Sequence, residues 1–392
     1  MKRIGIVVDN EFDSDIRVRK EVDILIRNGY KVFVLCFAYE GKEYQESPDL
    51  TIHRIPINKR RKDILTFFFN RIPLYEQLWK KAIRQFVIDY KLDAIHAHDL
   101  YMSKAAHLGI KASGSDIPMI LDLHENYPEA VQAYNWTKGV IRQLLANPRA
   151  WFKKEKRYLS YPKGVVVLSE DFKTTLTDRY DFVEPQSVLA FSNVIDLRRF
   201  ERYSIDESVS KSDQVTLMYF GAVAERRGVF QAMDAVAQVK QEGYPVDLLI
   251  IGPTDNANRE KFEGYLQRAE VQVCTKYIPW IDLSELVSYL HISDICISPL
   301  EKNPQHESGV ANKLFQYMFG AKPLIVSDCK PQMDLVKAFE CGLSYSTYDE
   351  FVACIKELVN DPALRERLGQ NGYDRLYEEY DNEAYEQKFL HF

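Results

Sequence analysis

The residues that most clearly suggest chemistry lie between positions 298 and 323. A buried strand is predicted at Ile295–Ser298, a polar loop follows it, and a helix is predicted to begin near Gly309. The amino terminus of a helix attracts anions, and Lys313 would add a positive charge on the first turn. The pattern therefore predicts a phosphate-binding site, with a plain amphipathic helix as the alternative.

A second loop with similar chemistry occupies residues 221–229, between a predicted strand and a predicted helix. Gly221 would let a ligand approach the backbone closely, because glycine has no side chain. Arg227 directly precedes Gly228, where the helix is predicted to begin, and its planar guanidinium suits phosphate oxygens. We expect this loop to bind a diphosphate; an ordinary turn is the alternative.

Polar residues also follow predicted strands in the first half of the chain. Asp15 is a candidate helix cap, and Arg17 lies four residues before Glu21 on the same helix face. His98 ends a later strand, and His124 comes directly after the next one. A histidine in that place can hydrogen-bond a sugar hydroxyl, or it can be satisfied within the domain core.

No metal site is expected. His96 and His98 alternate onto one face of their strand, but no clear third ligand accompanies them in the sequence. The six cysteines include no CxxC pair, so we expect small buried side chains in a reducing cytosol.

Apolar runs alternate with longer amphipathic segments along the chain, a rhythm typical of βαβ units with parallel strands. The rhythm restarts after a polar stretch near residues 193–213. We therefore predict an α/β fold of two Rossmann-like domains facing a cleft, with ligands bound beyond the strand ends. The predicted strands are Ile4–Val8, Lys31–Cys36, Ala94–Ala97, Met119–Leu123, Gly164–Leu168, Val215–Phe220, Asp247–Ile251, Ile295–Ser298 and Pro323–Val326, and the predicted helices include Ser14–Asn28 and Phe230–Gln241.

The loops after these strands resemble those of family 4 glycosyltransferases, which have the GT-B fold, and the resemblance covers nearly the whole chain. It implies an acceptor-side domain over residues 1–192 and a nucleotide-sugar domain over residues 193–372. It also implies that the last helix, residues 373–392, crosses back onto the first domain. The segments that carry the resemblance are Asp9–Glu21, His96–Asp99, Leu121–Glu129, Gly221–Val229 and Glu307–Pro323.

The resemblance also implies roles for individual residues. His124 would contact the donor sugar, and Glu307 would be a second catalytic residue. The implied donor contacts are Gly221, Arg227, Gly228, Pro279, Trp280, Ser308, Gly309, Asn312, Lys313 and Gln316, and the implied acceptor-side residues are Asp15, Arg17, His98 and Glu125. Trp280 would lie near the nucleotide base, or it would pack as an ordinary aromatic residue.

The chain departs from the family pattern in one place. Relatives carry two glutamates eight positions apart, where this chain has Ser308 and Gln316. Glu307 is one residue from the first position, and the amide of Gln316 still offers an oxygen acceptor. Two alternatives therefore stay open: a catalytically inert relative that acts as a binding subunit, and a nucleotide-sugar epimerase, which shares the architecture.

The resemblance implies transfer with retention of configuration from a UDP- or GDP-sugar, in the assembly of a cell-surface polysaccharide or glycolipid. Neither a metal ion nor a cofactor is expected, because cationic side chains and helix amino termini can neutralise a leaving diphosphate.

The distribution of charge gives the remaining expectations. The net charge of −6 argues against nucleic acid as a partner, whereas residues 58–91 carry a local charge of +6 with interleaved aromatic residues. This stretch predicts contact with an anionic membrane surface and a glycan or lipid-linked acceptor, unless its aromatic residues belong to the core. No signal segment or membrane-spanning run is predicted, so we expect a cytoplasmic protein, peripheral at the inner membrane face.

Overall fold

The computed structural model describes residues 1–39, 46–133, 137, 139–381 and 383–392. Within these ranges the chain divides into two units. The first unit contains residues 1–192 and 386–392, and the second contains residues 193–385. The described helices include none with the length and apolar character needed to cross a membrane.

The first unit is built on a parallel sheet. The strands run in the order β3-β2-β1-β4-β5-β6-β7, and each neighbouring pair is parallel. Continuous apolar runs such as that of β2 are buried because helices cover both faces of the sheet. The strands are β1 (Arg3–Val7), β2 (Lys31–Ala38), β3 (Leu50–Pro56), β4 (Ala94–His98), β5 (Met119–Asp122), β6 (Gly164–Val167) and β7 (Val188–Ala190).

Helices of the first unit connect these strands and bury large aromatic side chains. Helix α1 begins at Ile16 because the carboxylate of Asp15 accepts a hydrogen bond from the Val18 amide at 3.2 Å. Tyr75 and Trp79 of α3 are fully buried in the core. The helices are α1 (Ile16–Arg27), α2 (Lys59–Phe67), α3 (Leu74–Tyr90), α4 (Ser103–Ser113), α5 (Tyr127–Ala133), α6 (Val140–Ala146), α7 (Ala150–Tyr158) and α8 (Glu170–Arg179).

The second unit has a parallel sheet of its own, in the order β10-β9-β8-β11-β12-β13. Its strands are β8 (Val215–Phe220), β9 (Val246–Ile251), β10 (Thr275–Ile278), β11 (Ile295–Ser298), β12 (Leu324–Ser327) and β13 (Gly342–Tyr345). Its helices are α9 (Leu197–Phe200), α10 (Val229–Gln241), α11 (Arg259–Leu266), α12 (Ala269–Gln272), α13 (Leu286–Ile292), α14 (Asn312–Phe319), α15 (Lys330–Phe339), α16 (Tyr348–Asn360) and α17 (Pro362–Tyr380). The predicted α/β fold of two parallel-sheet domains is confirmed.

The carboxyl-terminal segment differs from the single crossing helix predicted for residues 373–392. Helix α17 belongs to the second unit, and a separate helix, α18 (Glu383–His391), enters the first unit at residue 386. Phe389 packs there against Phe191, with 5.1 Å between ring centroids. Only the end of the predicted segment therefore belongs to the first unit.

The list of predicted strands lacks four strands, namely β3, β7, β10 and β13. Each lies at the edge of its sheet and has one neighbouring strand. Edge strands are less buried and carry more polar side chains, as in β3, so they lack the continuous apolar run that identified the central strands.

Glycine is required where the loop after β8 meets the loop after β11. Gly228 has a φ of +70°, and a Cβ placed on it would lie 1.6 Å from the carbonyl oxygen of Pro299. No other residue type fits this close approach, because both the backbone conformation and the space exclude a side chain. The two loops are thus packed directly against each other within the second unit.

Candidate functional site

A buried ammonium group lies at the strand ends of the second unit. Lys313, the second residue of α14, is only 8% exposed, and its Nζ lies 4.0 Å from the ring centroid of Tyr219. No hydrogen-bond partner for this Nζ occurs among the described residues. Burial and the positive charge of Arg227 hold the pKa of Lys313 well below its usual range. A buried charge without a hydrogen-bonding counter-ion is unfavourable, so the site favours an anion.

Neighbouring cations add to this positive potential. Arg226 and Arg227 end a 3₁₀ turn that follows β8, and Nη1 of Arg226 is buried without a partner among the described residues. Burial lowers the pKa of His306 to about 4, and the charges of Arg227, Arg226 and Lys313 contribute to the lowering. The loops after β8 and β11 therefore bring several positive groups into one small region.

Helix α14 begins later than predicted. Residues 309–311 are extended, with a φ of −177° at Gly309, and the first helical residue is Asn312. The expected start at Gly309 is wrong because this extended stretch intervenes. The N-cap residue Ala311 makes no side-chain hydrogen bond to the start of the helix, so the first amide groups lack that partner and can attract an anion.

The residues at the departure from the family pattern have local partners. The Ser308 hydroxyl donates to the Gln305 carbonyl oxygen at 2.7 Å. Oε1 of Glu307 accepts a hydrogen bond from the Lys330 amide, the first residue of α15, at 3.0 Å. One oxygen of the predicted catalytic carboxylate thus caps a helix. Gln316 is buried on α14.

Trp280 is 69% exposed and follows β10, at the same sheet edge as the other loops. The alternative interpretation of Trp280 as a packing residue is therefore wrong. Pro279 beside it is also exposed. An exposed indole is available for stacking on a planar base.

In the first unit, five side chains form a buried polar cluster: Arg17, Glu21, His96, His98 and Asp122. The Arg17 guanidinium donates to Oε1 of Glu21 at 3.2 Å and to Oδ1 of Asp122 at 2.5 Å. The predicted pairing of Arg17 with Glu21 on one helix face is present. The expectation that no further ligand accompanies the two histidines is wrong, because the fold brings Glu21 of α1 and Asp122 of β5 close to them.

This burial changes the interpretation of two acceptor-side residues. Arg17 is 7% exposed and His98 is fully buried, so neither offers a surface to a large acceptor. His98 instead acts on His124, since its Nδ1 lies 2.8 Å from Nε2 of His124. Arg17 and His98 are positioning residues, and Asp15 caps α1.

His124 lies in the loop after β5 and contacts the buried polar cluster through His98. Burial, followed by the charge of Arg17, lowers the pKa of His124 to about 3. The imidazole is therefore neutral near pH 7, with one nitrogen donating and the other accepting. Such a side chain can orient a sugar hydroxyl without adding charge.

A pair of carboxyl groups that the sequence did not single out lies at the ends of β1 and β4. The Tyr101 hydroxyl is 2.9 Å from Oδ1 of Asp9 and 2.8 Å from Oδ2 of Asp99. A hydroxyl carries one proton, so it donates to only one of them. Burial and the charge of Asp9 raise the pKa of Asp99 well above its usual range. Burial also raises the pKa of Asp9, although the charge of Lys62, 3.5 Å away, and the hydroxyls of Tyr75 and Tyr101 oppose this rise.

Asp9, Lys62 and Tyr101 border a hollow in the first unit. Its lining includes Glu125, an acceptor-side residue predicted from the sequence, together with Asp9, Arg60, Lys62, Phe67, Phe68, Tyr101 and Tyr127. Carboxylates beside aromatic faces suit a polyhydroxylated ligand. Two features indicate a functional site here. Asp9 lies just after the end of β1, and Asp99 has a positive φ of 71°, which is rare for a residue other than glycine.

Comparisons with known proteins agree with this fold. The family model described as Glycosyltransferase Family 4 matches residues 18–199, and the model described as Glycosyl transferases group 1 matches residues 201–375. The chain is 21% identical over 295 residues to a Mycobacterium tuberculosis glycogen synthase, a match that covers 74% of this chain and 66% of that protein. It is 23% identical over 240 residues to the capsular polysaccharide biosynthesis glycosyltransferase CapM of Staphylococcus aureus, covering 58% and 60%. The match thus spans just under two thirds of these relatives.

One solved structure with the same fold is HepE from Anabaena in complex with UDP and glucose. The two structures superpose with a TM-score of 0.73 at 12% identity, over 100% of this chain and 99% of that one.

We predict that Arg227→Ala and Lys313→Ala each weaken UDP binding by about 1–3 kcal/mol, the range for a lost charged hydrogen bond. Lys302→Ala is the matched control, because Lys302 is an exposed lysine of the loop after β11 and pairs with Asp328. Isothermal titration calorimetry measures all three. Unchanged affinity in both site variants would rule out the anion site.

Binding of UDP should also take up protons. The pKa of Lys313 is lowered in the free protein, and a bound diphosphate would raise it. Between these two pKa values the free side chain is neutral and the bound one charged, so affinity falls as pH rises through that window. Calorimetry in buffers of different ionisation enthalpy measures the proton count, which should drop toward zero in Lys313→Ala. Proton release by wild type would contradict the assignment.

Proposed function

Because the chain belongs to the family 4 glycosyltransferases of the GT-B fold, we propose that it transfers a sugar from a nucleotide-sugar donor to a glycan or lipid-linked acceptor. The observation that carries the proposal is the buried, unpartnered ammonium of Lys313 beside Arg227. The family resemblance implies that the anion bound beside Lys313 and Arg227 is a nucleoside diphosphate. UDP is the first candidate, since the related HepE fold is known with UDP and glucose.

We assign the residues of the site to the steps of this transfer. Arg227, Lys313 and the start of α14 neutralise the diphosphate as it leaves, which is electrostatic stabilisation by groups already in place. Trp280 faces the base. His124, held by His98, orients the donor sugar. We propose that the configuration is retained, as the family resemblance implies, and no side chain is assigned as a covalent nucleophile.

The charge of the leaving group decides whether a divalent cation is needed. Two or more positive groups converge near Lys313, so the donor site itself supplies what Mg²⁺ or Mn²⁺ supplies in metal-dependent transferases. We therefore propose transfer without a metal ion at the diphosphate.

An inert binding subunit is the second candidate, favoured by the structure around Glu307. One oxygen of that carboxylate is engaged in capping α15, and Ser308 and Gln316 replace the family glutamates. An epimerase has no comparable support from the described residues.

We propose that the acceptor lies at an anionic membrane surface, in the assembly of a cell-surface polysaccharide or glycolipid. The relative CapM carries such a role in its name. The basic residues 59–61 are exposed on α2, as that proposal requires. The aromatic part of the sequence argument is wrong for Phe69, Tyr75 and Trp79, which are at most 8% exposed and belong to the core.

We propose that α6 supplies the apolar contact with the membrane instead. Val140, Ile141 and Leu144 are 86%, 73% and 67% exposed, an unusual state for such side chains on one short helix. The Arg71 guanidinium donates to the carbonyl oxygens of Leu144 and Leu145 at the end of this helix, at 2.5 and 3.3 Å. A hollow lined by the basic residues Arg71, Lys104, Lys153, Lys154 and Arg157 lies close by. Apolar side chains flanked by cations match an anionic leaflet.

The transfer is tested with labelled UDP-sugars and membrane extracts as the acceptor source, without added divalent cations. We expect label in a glycan or lipid fraction, no stimulation by added Mg²⁺ or Mn²⁺, and loss of at least about 80% of the rate in Lys313→Ala, as a lost charged contact of about 1–3 kcal/mol implies. Donor binding without turnover would establish the inert alternative, and a free epimerised sugar nucleotide would establish the epimerase.

Vesicle co-sedimentation tests the membrane surface. We expect binding to phosphatidylglycerol vesicles that weakens with salt and falls at least about tenfold in an Ile141→Ser, Leu144→Ser variant, since burying each side chain contributes about 1.5–3 kcal/mol. Val273→Ser is the matched control, because Val273 is 68% exposed in the second unit. Equal binding to neutral vesicles, or an equal loss in the control, would disprove this surface.

A further inference from the structure

The buried polar cluster of the first unit has five side-chain atoms that lack hydrogen-bond partners among the described residues. One is Nη1 of Arg17, and the other four, which could bind a cation, are Oε2 of Glu21, Nε2 of His96, Nε2 of His98 and Oδ2 of Asp122. Each belongs to a side chain that is at least 93% buried. Buried polar atoms are normally satisfied, so five unsatisfied ones in a single cluster require an explanation.

These side chains converge on one point. Oε2 of Glu21 lies 3.7 Å from Nε2 of His98 and 3.7 Å from the ring of His96 at Nδ1. Oδ2 of Asp122 lies 3.8 Å from Nε2 of His96. One ligand atom from each of the four side chains falls within 4.8 Å of all the others. We propose that this cluster is a binding site for a single zinc-type divalent cation.

The ligand set points to the class of ion. Two imidazoles and two carboxylates suit Zn²⁺ or Co²⁺, whereas Mg²⁺ and Ca²⁺ prefer oxygen ligands alone. Tetrahedral zinc with bonds of about 2.0–2.2 Å places its ligand atoms roughly 3.4 Å apart. The observed separations begin at 3.7 and 3.8 Å and reach at most 4.8 Å, so the four side chains would draw together around the ion.

The surroundings already hold the ligands in place, as outer contacts do in metal sites. Arg17 occupies the second oxygen of each carboxylate and leaves the other two oxygens to the centre. His98 Nδ1 lies 2.8 Å from His124 Nε2. An ion on His98 Nε2 would place the ring proton on Nδ1, so that His98 donates to His124 and fixes the orientation of that ring.

The rival occupant is a proton. Burial and the nearby charge of Asp122 raise the pKa of Glu21 well above its usual range. A protonated Glu21 could donate to Asp122 and satisfy both carboxyl groups without an ion. Only a metal site takes up one ion per chain, so metal titration distinguishes the two occupants. This measurement does not depend on the proposed transferase activity.

The full chain, dialysed against chelator, is titrated with Co²⁺ and then with Zn²⁺. We expect one Co²⁺ per chain with the visible absorption of a four-coordinate site, displacement by Zn²⁺, and a higher melting temperature with Zn²⁺. X-ray absorption of the zinc form should show two imidazoles and two oxygen ligands. The absence of saturable uptake, or a zinc shell without histidine, would overturn the proposal in favour of the proton.

Two variants assign the ion to the cluster. Glu21→Gln keeps the shape and an acceptor for Arg17, and His96→Gln removes one imidazole. Each should weaken Zn²⁺ binding by more than the about 10–100-fold that loss of an outer contact costs. His107→Gln is the matched control, because His107 stacks on Tyr161 outside the cluster. Wild-type affinity in both cluster variants would place the ion elsewhere and overturn the proposal. The wild-type absorption spectrum decides the question if a variant does not fold.

Discussion

Neighbouring strands within each sheet run in the same direction, and this constraint organises the chemistry of the chain. Helices cover both faces of such sheets, so most side chains within the strands are apolar. Charged side chains are therefore concentrated where strands end, and the carboxyl ends of a unit's strands share one edge. The loops after β8, β10 and β11 in the second unit, and after β1, β4 and β5 in the first, follow from this arrangement.

The two units have opposite electrostatic states at these edges. In the second unit, burial and then repulsion by neighbouring cations lower the pKa values of Lys313 and His306. In the first unit, burial and then repulsion by neighbouring carboxylates raise the pKa values of Asp99 and Glu21. Each state is unfavourable in the empty protein and is relieved by a ligand of opposite charge. The stability of the folded chain is thus tied to what it binds.

The sequence was sufficient for the fold class, because buried parallel strands leave strong local patterns, and it indicated candidate site loops at the carboxyl ends of those strands. It was insufficient where partners come from distant parts of the chain. No third ligand for His96 and His98 was evident in the sequence, because Glu21 and Asp122 come close to them only in the folded chain. The exposure of Trp280 and the burial of Trp79 likewise depend on packing, which residue type alone does not decide.

The division of the carboxyl-terminal helix has a consequence for how the chain is made. The ring of Phe392 lies so close to Gly164 that a Cβ on the glycine would be 2.7 Å from it, and Phe389 packs on Phe191. The segment that completes the first unit is thus synthesised only after the whole second unit. Until then, an apolar patch of a nearly finished sheet stays open to solvent. A nascent chain in this interval presents a natural surface for a chaperone, and the second unit folds as an insertion between two parts of the first.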